Sequence, residues 1–304
     1  MRKFSNKMVL SILTLVLLVV ALGTTTYAWF TVGNIAKVDQ FTTEVSSGHG
    51  LEIVYVDSGD VERGGYKSAI TSTDMHSYLH ADYAYGDGTW STKFQLGAVT
   101  STDGLVFKKL NTSDNYATLV AANKKTDGFV EFKLRFRTKA ENAKLVWNSV
   151  TLNSTGVQWT PETSFTGVGG ATISSEATYY AKNATRISVN AGATTKVYEL
   201  PSTADPDFSN TQLSNNSPNF TQGAHNYFQK MTGVNLSTAH STYTAVTTVT
   251  TLGDGIVIGD INTVKDGYNT ITVTIRIYLE GFDSETFNAI LKDQIQVALG
   301  FTMQ

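Results

Sequence analysis

Hydrophobic and polar positions alternate over several stretches of this chain, most clearly from Thr126 to Ala140. A side-chain period of two is typical of a β-strand with one buried face. The apolar face carries Val130, Phe132, Leu134 and Phe136, and the charged face carries Glu131, Lys133, Arg135 and Arg137. The stretch from Lys144 to Asn153 repeats the pattern after a short turn, so we predict a hairpin or an adjacent pair of strands.

The same alternation marks a second group of strands nearer the C-terminus. Apolar and polar residues alternate from Ala184 to Leu200, where the sequence NAGA supplies a turn. A long alternating run begins at Asn269, and the sequence IQVALGF supplies a final strand. Between these two, the sequence DSETFNAIL predicts a single helical turn with Asp283 or Ser284 as its N-cap.

Composition also favours strands. Thr, Val, Ile, Tyr and Phe are abundant, Gly is frequent and there are only four Pro, as expected for a β-sandwich with polar loops. Three of the four Pro fall between Pro201 and Asn226, a stretch without periodicity that we interpret as a long surface excursion. We therefore predict an all-β chain with a single sandwich domain over residues 42–304. The sequence leaves open whether residues 156–226 form a separate lobe.

The N-terminus has the layout of an export signal, because the basic segment MRKFSNK precedes an uncharged run from Met8 to Gly23. This apolar run of about 15 residues is shorter than the roughly 20 that a helix needs to span a bilayer. Small residues at Thr26 and Ala28 fit a signal peptidase site, so we predict that residues 1–28 are a signal peptide cleaved after Ala28. A retained membrane anchor, with TTTYAWF extending the helix at the interface, is the alternative.

Charge and cysteine content exclude several classes of protein. Charged residues make up 16% of the chain and the formal net charge is −3, so nothing indicates a nucleic-acid-binding surface. The chain has no cysteine, which excludes disulfides, thiolate nucleophiles and cysteine zinc sites.

Four features of the chain together resemble a known family. They are the export signal ending in TYAWF, the alternating segment directly after it, the cysteine-free and Thr-rich β body, and the closing sequence IRIYLEGFDSETFNAI followed by IQVALGF. They are similar to the TasA/camelysin-type proteins of Gram-positive bacteria and their relatives, chiefly over residues 1–41 and 269–301. The resemblance implies a jelly-roll β-sandwich, a dedicated matrix signal peptidase, and extracellular fibres in which the N-terminal strand of one subunit completes the sheet of its neighbour.

Cleavage after Ala28 would leave residues 29–41, WFTVGNIAKVDQF, as a free N-terminal arm. Such an arm can add to an exposed sheet edge through main-chain hydrogen bonds, and head-to-tail addition propagates as a filament. The residues assigned to this polymerisation arm are Trp29, Phe30, Val32, Ile35, Ala36, Val38 and Phe41. The alternative is that the arm pairs within its own subunit as an edge strand.

The candidates for metal chemistry are weak. His76 and His80 lie four apart in DMHSYLHADY, and some relatives of the family that the chain resembles are classed as metallopeptidases. A zinc protease needs a Glu directly after the first His, whereas Ser77 occupies that position, and we expect a polar loop there. Asp205 and Asp207 are spaced as oxygen ligands for a structural calcium ion, but they do not match the calcium-binding loop. We predict no cofactor.

Two further clusters fit structural roles better than chemical ones. Glu280 and Asp283 are three apart and cannot supply the two separated carboxylates of a glycoside hydrolase. We interpret them as a capped turn that ends a strand. The aromatic residues between Tyr78 and Trp90 suit a carbohydrate-stacking surface, although such residues more often pack across strands.

The sequence thus predicts a non-enzymatic protein of the extracellular matrix or cell surface. The leading hypothesis is a secreted fibre subunit whose main partner is a second copy of itself, with other matrix proteins or polysaccharide as further partners and no nucleic acid. The alternative is a monomeric or membrane-anchored adhesin or glycan-binding module that uses the stretch from Tyr78 to Trp90 or the excursion from Pro201 to Asn226.

Overall fold

The structure is a computed structural model that describes residues 37–45, 50–84, 94–201, 219–241, 243 and 246–304. Within residues 37–45 it describes the backbone and the side chain of Thr43. The described part of the chain is predominantly β, with 44% of its residues in strands and 16% in helices, which confirms the predicted all-β sandwich. The predicted signal peptide and its cleavage residues, Thr26 and Ala28, lie outside the described residues.

Strands and helices of the described residues are numbered along the chain. The strands are β1 (Lys37–Val45), β2 (Glu52–Val56), β3 (Glu62–Lys67), β4 (Ala69–Ile70), β5 (Ala98–Ser101), β6 (Phe107–Leu110), β7 (Leu119–Ala121), β8 (Val130–Thr138), β9 (Lys144–Ser154), β10 (Val157–Trp159), β11 (Phe165–Thr166), β12 (Thr172–Ile173), β13 (Ala177–Tyr179), β14 (Thr185–Ala191), β15 (Thr194–Glu199), β16 (Ile256–Asp260), β17 (Thr263–Lys265), β18 (Tyr268–Glu280) and β19 (Gln294–Met303). The helices are α1 (Ser72–Asp82), α2 (Ala181–Ala184), α3 (Gly223–Thr232) and α4 (Ser237–His240), with the 3₁₀ helices η1 (Thr112–Asp114) and η2 (Asn288–Lys292).

The smaller of the two main sheets has five strands in the order β16-β9-β19-β1-β4. β19 lies antiparallel to β9 on one side and parallel to β1 on the other. Its alternate residues Ile295, Val297, Leu299 and Phe301 are buried. They form the single apolar face that a period of two predicts.

The larger sheet is organised around β18. This strand pairs antiparallel with β8 from Asn269 to Ile277 and with β14 from Thr274 to Leu279. β2 and β3 continue the sheet beyond β8, and β15 continues it beyond β14. The unit of β5, β6 and β7 joins the end of β18 through a short parallel pairing. The turn predicted between Ala184 and Leu200 is confirmed, because β14 and β15 form an antiparallel hairpin.

One hydrophobic core fills the space between the two sheets. Phe136 of β8 contacts Phe301 of β19 with ring centroids 4.9 Å apart, and both rings are fully buried. Val130, Phe132 and Leu134 are buried in the same core, so the apolar face predicted for this strand is confirmed. Burial of apolar surface of this kind is the main favourable term in folding.

The hairpin or adjacent pair predicted for β8 and β9 is wrong. β8 lies in the larger sheet between β2 and β18, whereas β9 lies in the smaller sheet between β16 and β19. The chain crosses from one sheet to the other at residues 139–143, where Asn142 adopts a φ of 57°. Both strands face the same core from opposite sides, so alternation by itself does not distinguish this arch from a hairpin.

A small third layer covers part of the outer face of the larger sheet. A second hydrophobic cluster lies there and consists of Val99, Phe107, Phe129, Val197 and Tyr278. The ring of Phe107 lies 4.7 Å from that of Tyr278, and the Ser188 hydroxyl donates to the Gly104 carbonyl at 2.8 Å. The covering unit of β5 to β7 therefore buries residues that point away from the main core.

The helical segment of residues 219–241 contains α3 and α4. The predicted surface excursion from Pro201 to Asn226 thus ends inside a helix, because α3 begins at Gly223 and its residues Ala224 and His225 are buried. Residues 202–218 of the excursion lie outside the described residues. The apolar positions of α3 hold this segment against the rest of the domain.

The helical turn predicted near the C-terminus is confirmed as η2, but its N-cap differs. Phe287 occupies that position rather than Asp283 or Ser284. Asp283 instead forms the preceding turn, where its backbone N–H donates to the Glu280 carbonyl at 3.1 Å.

Candidate functional site

β1 is the described strand nearest the N-terminus, and its partner on one side is β19. The two strands are parallel from Lys37, which is paired with Gln294, to Val45, which is paired with Phe301. The register shifts between Val38 and Gln40, as at a β-bulge. A strand that includes the last residues of the predicted arm therefore forms a full-length ladder within its own chain.

The other side of β1 is nearly unpaired. β4 pairs with it at two positions, where Thr43 faces Ile70 and Glu44 faces Ala69. Over residues 37–42 the described part of the chain provides no strand on this side. Unpaired main-chain N–H and C=O groups at a sheet edge are a template for pairing with another chain.

β19 supplies the surface on which β1 lies. It is anchored on its far side by β9, with the register running from Ile295 opposite Ser154 to Met303 opposite Leu145. β1 occupies the remaining edge of β19. Removal of β1 would open that edge along most of its length, and an open sheet edge is the kind of surface to which an extended strand can add.

The structure describes only part of the predicted polymerisation arm. Trp29, Phe30, Val32, Ile35 and Ala36 lie outside them, whereas Val38 and Phe41 lie in β1 and are register partners of Ile295 and Val297. The boundary that we predicted between residues 41 and 42 falls within this strand. The bulge after Val38 has no counterpart in the simple alternation that the sequence suggested.

His76 and His80 lie in helix α1, not in the polar loop that we expected, so that expectation is wrong. Thr71 and Asp74 form a reciprocal capping box at the start of the helix, a strong start signal. The Asp82 carboxylate at the other end accepts a hydrogen bond from the Ser58 backbone N–H at 2.8 Å. Among the described residues, no group of three or more His, Asp or Glu is arranged to hold a metal ion.

A further acidic turn residue, Asp57 in the sequence DSGD, is described by the structure, whereas the candidate calcium ligands are not. Asp57 is a turn residue whose carboxylate accepts hydrogen bonds from the backbone N–H groups of Gly59 and Val61 at 2.9 and 2.8 Å. This is the local side-chain to backbone bonding that favours Asp in turns. Asp205 and Asp207 lie outside the described residues.

The aromatic stretch has its described members turned inward. Tyr83 is buried, and its hydroxyl donates to the Phe129 carbonyl at 3.0 Å. The ring of Tyr78 lies 5.0 Å from that of the buried Tyr55. These two tyrosines pack against the domain and do not form a surface on which sugars could stack. Tyr85 and Trp90 lie outside the described residues.

A buried charged cluster is the feature that the sequence interpretation missed. Arg186 of β14 is 1% exposed, forms an ion pair with Glu199 of β15, and places its Nη1 atom 3.7 Å from Oε2 of Glu280. Glu280 is fully buried. Alternation placed Arg186 on the polar face of its strand, and the third layer buries that face.

The cluster continues into the turn that follows β18. We call residues 280–286, sequence EGFDSET, the acidic turn. Burial raises the pKa of Glu280 from 4.5 to about 7, although Arg186 acts in the opposite direction. Burial, followed by repulsion from Glu285, raises the pKa of Asp283 well above 3.8. The turn predicted from this sequence is confirmed, but its complete burial was not foreseen.

Comparisons with protein-family models, with curated proteins and with solved structures find no match for this chain. Within the described residues, none of the helices is long and apolar enough to cross a membrane.

Proposed function

We propose that the chain is a secreted structural subunit of an extracellular matrix or surface fibre, and that it polymerises head-to-tail when its N-terminal strand adds to the sheet of a neighbouring subunit. The observation that supports this proposal is the position of β1. It contains the last residues of the predicted arm, and it lies near a sheet edge with residues 37–42 unpaired on one side within the described part of the chain.

The proposed assembly reuses contacts that exist within one subunit. The ladder between β1 and β19 is made of main-chain groups and has a defined register. Exchange of an identical element between copies requires no new type of contact, and head-to-tail exchange that does not close propagates as a filament. In the fibre, β1 and the upstream residues from Trp29 to Ala36 belong to one subunit, and the accepting β19 belongs to the next. The proposal involves no enzymatic activity and no cofactor.

Engineered cysteines can report which copy of β1 lies on β19, because the natural chain has none. Thr42 and Ala298 are register partners, and neighbouring strands are about 4.8 Å apart, within the range of Cα separations that a disulfide spans. For Thr42→Cys/Ala298→Cys we expect oxidised filaments to run as a ladder on a non-reducing denaturing gel and to collapse to monomer on reduction. A purely intramolecular disulfide in filaments would contradict strand addition.

The matched control places the second cysteine one strand further away. Thr151 lies opposite Ala298 on β9, so it is separated from Thr42 by two strand spacings, about 9.6 Å. Thr42→Cys/Thr151→Cys should therefore give neither the ladder nor an intramolecular bond. A ladder from this control as well would indicate random collision of cysteines.

Electron microscopy of the secreted protein, with its N-terminal residue determined by mass spectrometry, tests the proposal independently. We expect filaments whose subunits begin at Trp29. Deletion of residues 29–41 should abolish filaments and leave a folded monomer by circular dichroism. Filaments that persist after this deletion, or a deletion variant that does not fold, would indicate that the segment serves its own subunit only.

A further inference from the structure

The acidic turn concentrates carboxylates in the interior. Glu280, Asp283 and Glu285 are 0%, 2% and 8% exposed. Two hydrogen bonds stabilise the turn: the backbone N–H of Glu285 donates to Oδ1 of Asp283 at 2.9 Å, and the Thr286 hydroxyl donates to the Glu280 carbonyl at 2.6 Å. A buried carboxylate is costly when ionised unless a cation compensates it.

The charged and titratable groups around the turn leave it short of positive charge. β14 contributes Arg186 and β15 contributes Glu199, so one guanidinium is shared by the carboxylates of Glu199 and Glu280. Tyr278 of β18 and Tyr243 are buried, and burial raises the pKa of both phenols, which keeps them neutral. Burial lowers the pKa of His225 in α3 to about 4, so this imidazole carries no charge near neutrality.

A helical cover, which we define as residues 219–241 with α3 and α4, lies on the acidic turn. The Ala224 N–H donates to the Ser284 carbonyl at 2.7 Å. The ring of His240 in α4, the other imidazole that faces the turn, lies 4.9 Å from that of Phe282. A Cβ atom added at Gly223 would lie 2.4 Å from the Ser284 carbonyl oxygen, so the approach of the cover requires glycine.

The cover joins the domain without strand pairing. None of the strand pairs in the described part of the chain includes a residue of 219–241, and the cover is held by side-chain packing and a few hydrogen bonds. Tyr227 packs edge-on against Trp159 with ring centroids 5.0 Å apart. Segments with few such attachments open at lower free energy than the central strands of a sheet.

We propose that the acidic turn and the helical cover form a pH-dependent latch, in which the protonated turn holds the cover closed and the ionised turn releases it. Opening hydrates the turn, and hydration favours the charged carboxylates. A carboxylate whose pKa is raised on burial stabilises the closed form below its exposed pKa, and this stabilisation is lost as the pH rises through the buried value. For Glu280 that window extends from about pH 4.5 to about pH 7.

Hydrogen exchange of the full chain, read by mass spectrometry and corrected for the pH dependence of intrinsic exchange, tests the latch. If opening fully hydrates Glu280, the opening constant of the cover should rise by up to roughly 70-fold between pH 5 and pH 8.5. Peptides from the central strands β8 and β18 should show no such rise. Equal corrected protection of residues 219–241 at both pH values would overturn the proposal.

Two variants separate the latch from general effects of pH. Glu280→Gln removes the titrating group with little change in shape. Most of the roughly 70-fold rise in the opening constant of the cover between pH 5 and pH 8.5 should then be lost. Asp283→Asn provides the same test at a second position if the first variant does not fold. Glu62→Gln is the matched control, because Glu62 lies in β3 outside the turn and its pKa is lowered to about 2. An unchanged pH response in both turn variants would also overturn the proposal.

Discussion

Replacement of Arg186 by methionine tests how the buried charges of the larger sheet are balanced. The guanidinium is 1% exposed and lies between the carboxylates of Glu199 and Glu280. Attraction to these acids holds the pKa of Arg186 above its ordinary value despite its burial. Methionine keeps much of the side-chain length but removes the charge and all the N–H donors.

The expected loss of stability depends on pH. At pH 8, Glu280 is ionised and needs its cation, and removal of one partner of a buried ion pair costs about 3–5 kcal/mol. At pH 5, Glu280 is protonated in the folded state because its pKa is about 7. The rise from 4.5 to about 7 corresponds to about 3 kcal/mol between the two protonation states. We therefore expect a smaller loss of about 1.5–3 kcal/mol at pH 5, mainly from the charged hydrogen bond with Glu199.

Urea unfolding followed by tryptophan fluorescence at pH 5 and pH 8 measures this difference. The double variant Arg186→Met/Glu280→Gln completes a mutant cycle, and at pH 8 it should regain most of the stability that Arg186→Met loses. Equal losses for Arg186→Met at both pH values, or no recovery in the double variant, would refute the proposed charge balance.

Three further substitutions test the fold. Phe136→Ala should lower the free energy of unfolding by about 3–5 kcal/mol, because it removes a fully buried ring that joins the two sheets; a loss below about 1 kcal/mol in urea unfolding would contradict this packing. Gly128→Ala should lower the free energy of unfolding several times more than Gly267→Ala. Both glycines have a positive φ, but a Cβ at Gly128 would lie 2.2 Å from the Gln95 carbonyl oxygen, whereas Gly267 has open space; equal thermal shifts would refute the difference. Thr71→Ala should lower the free energy of unfolding by about 1 kcal/mol, because α1 loses its N-cap. Thermal unfolding measures this loss, and Thr112→Ala in η1 is the control.

Some features of the fold follow from local sequence. The strict alternation of β8 identified its buried face, because successive side chains of a strand point to opposite sides. The turn between β14 and β15 was predicted from the sequence NAGA for a similar local reason. Helix α1 was missed because its buried apolar positions are few, namely Met75 and Leu79. The capping pair Thr71 and Asp74 was the signal in the sequence that could have revealed it.

The candidate assembly site was only partly accessible from sequence. The alternation around Val38 and Phe41 indicated a strand, and β1 spans both residues. Its parallel partner β19 lies about 250 residues away along the chain, and its register includes a shift after Val38. Local propensity describes short segments and does not encode such a long-range pairing. The pairing is set by how apolar faces meet in the folded sheet.

The sequence by itself determined the longest alternating strands, the core-facing side of β8 and the all-β class, since these depend on the period of side chains along a single segment. Only the tertiary structure decided which strands are neighbours, and it placed β8 and β9 in opposite sheets. It also decided the environment of Arg186 and Glu280. Alternation shows that a residue points away from the main core, but whether water or a third layer lies there depends on chain segments far away in sequence.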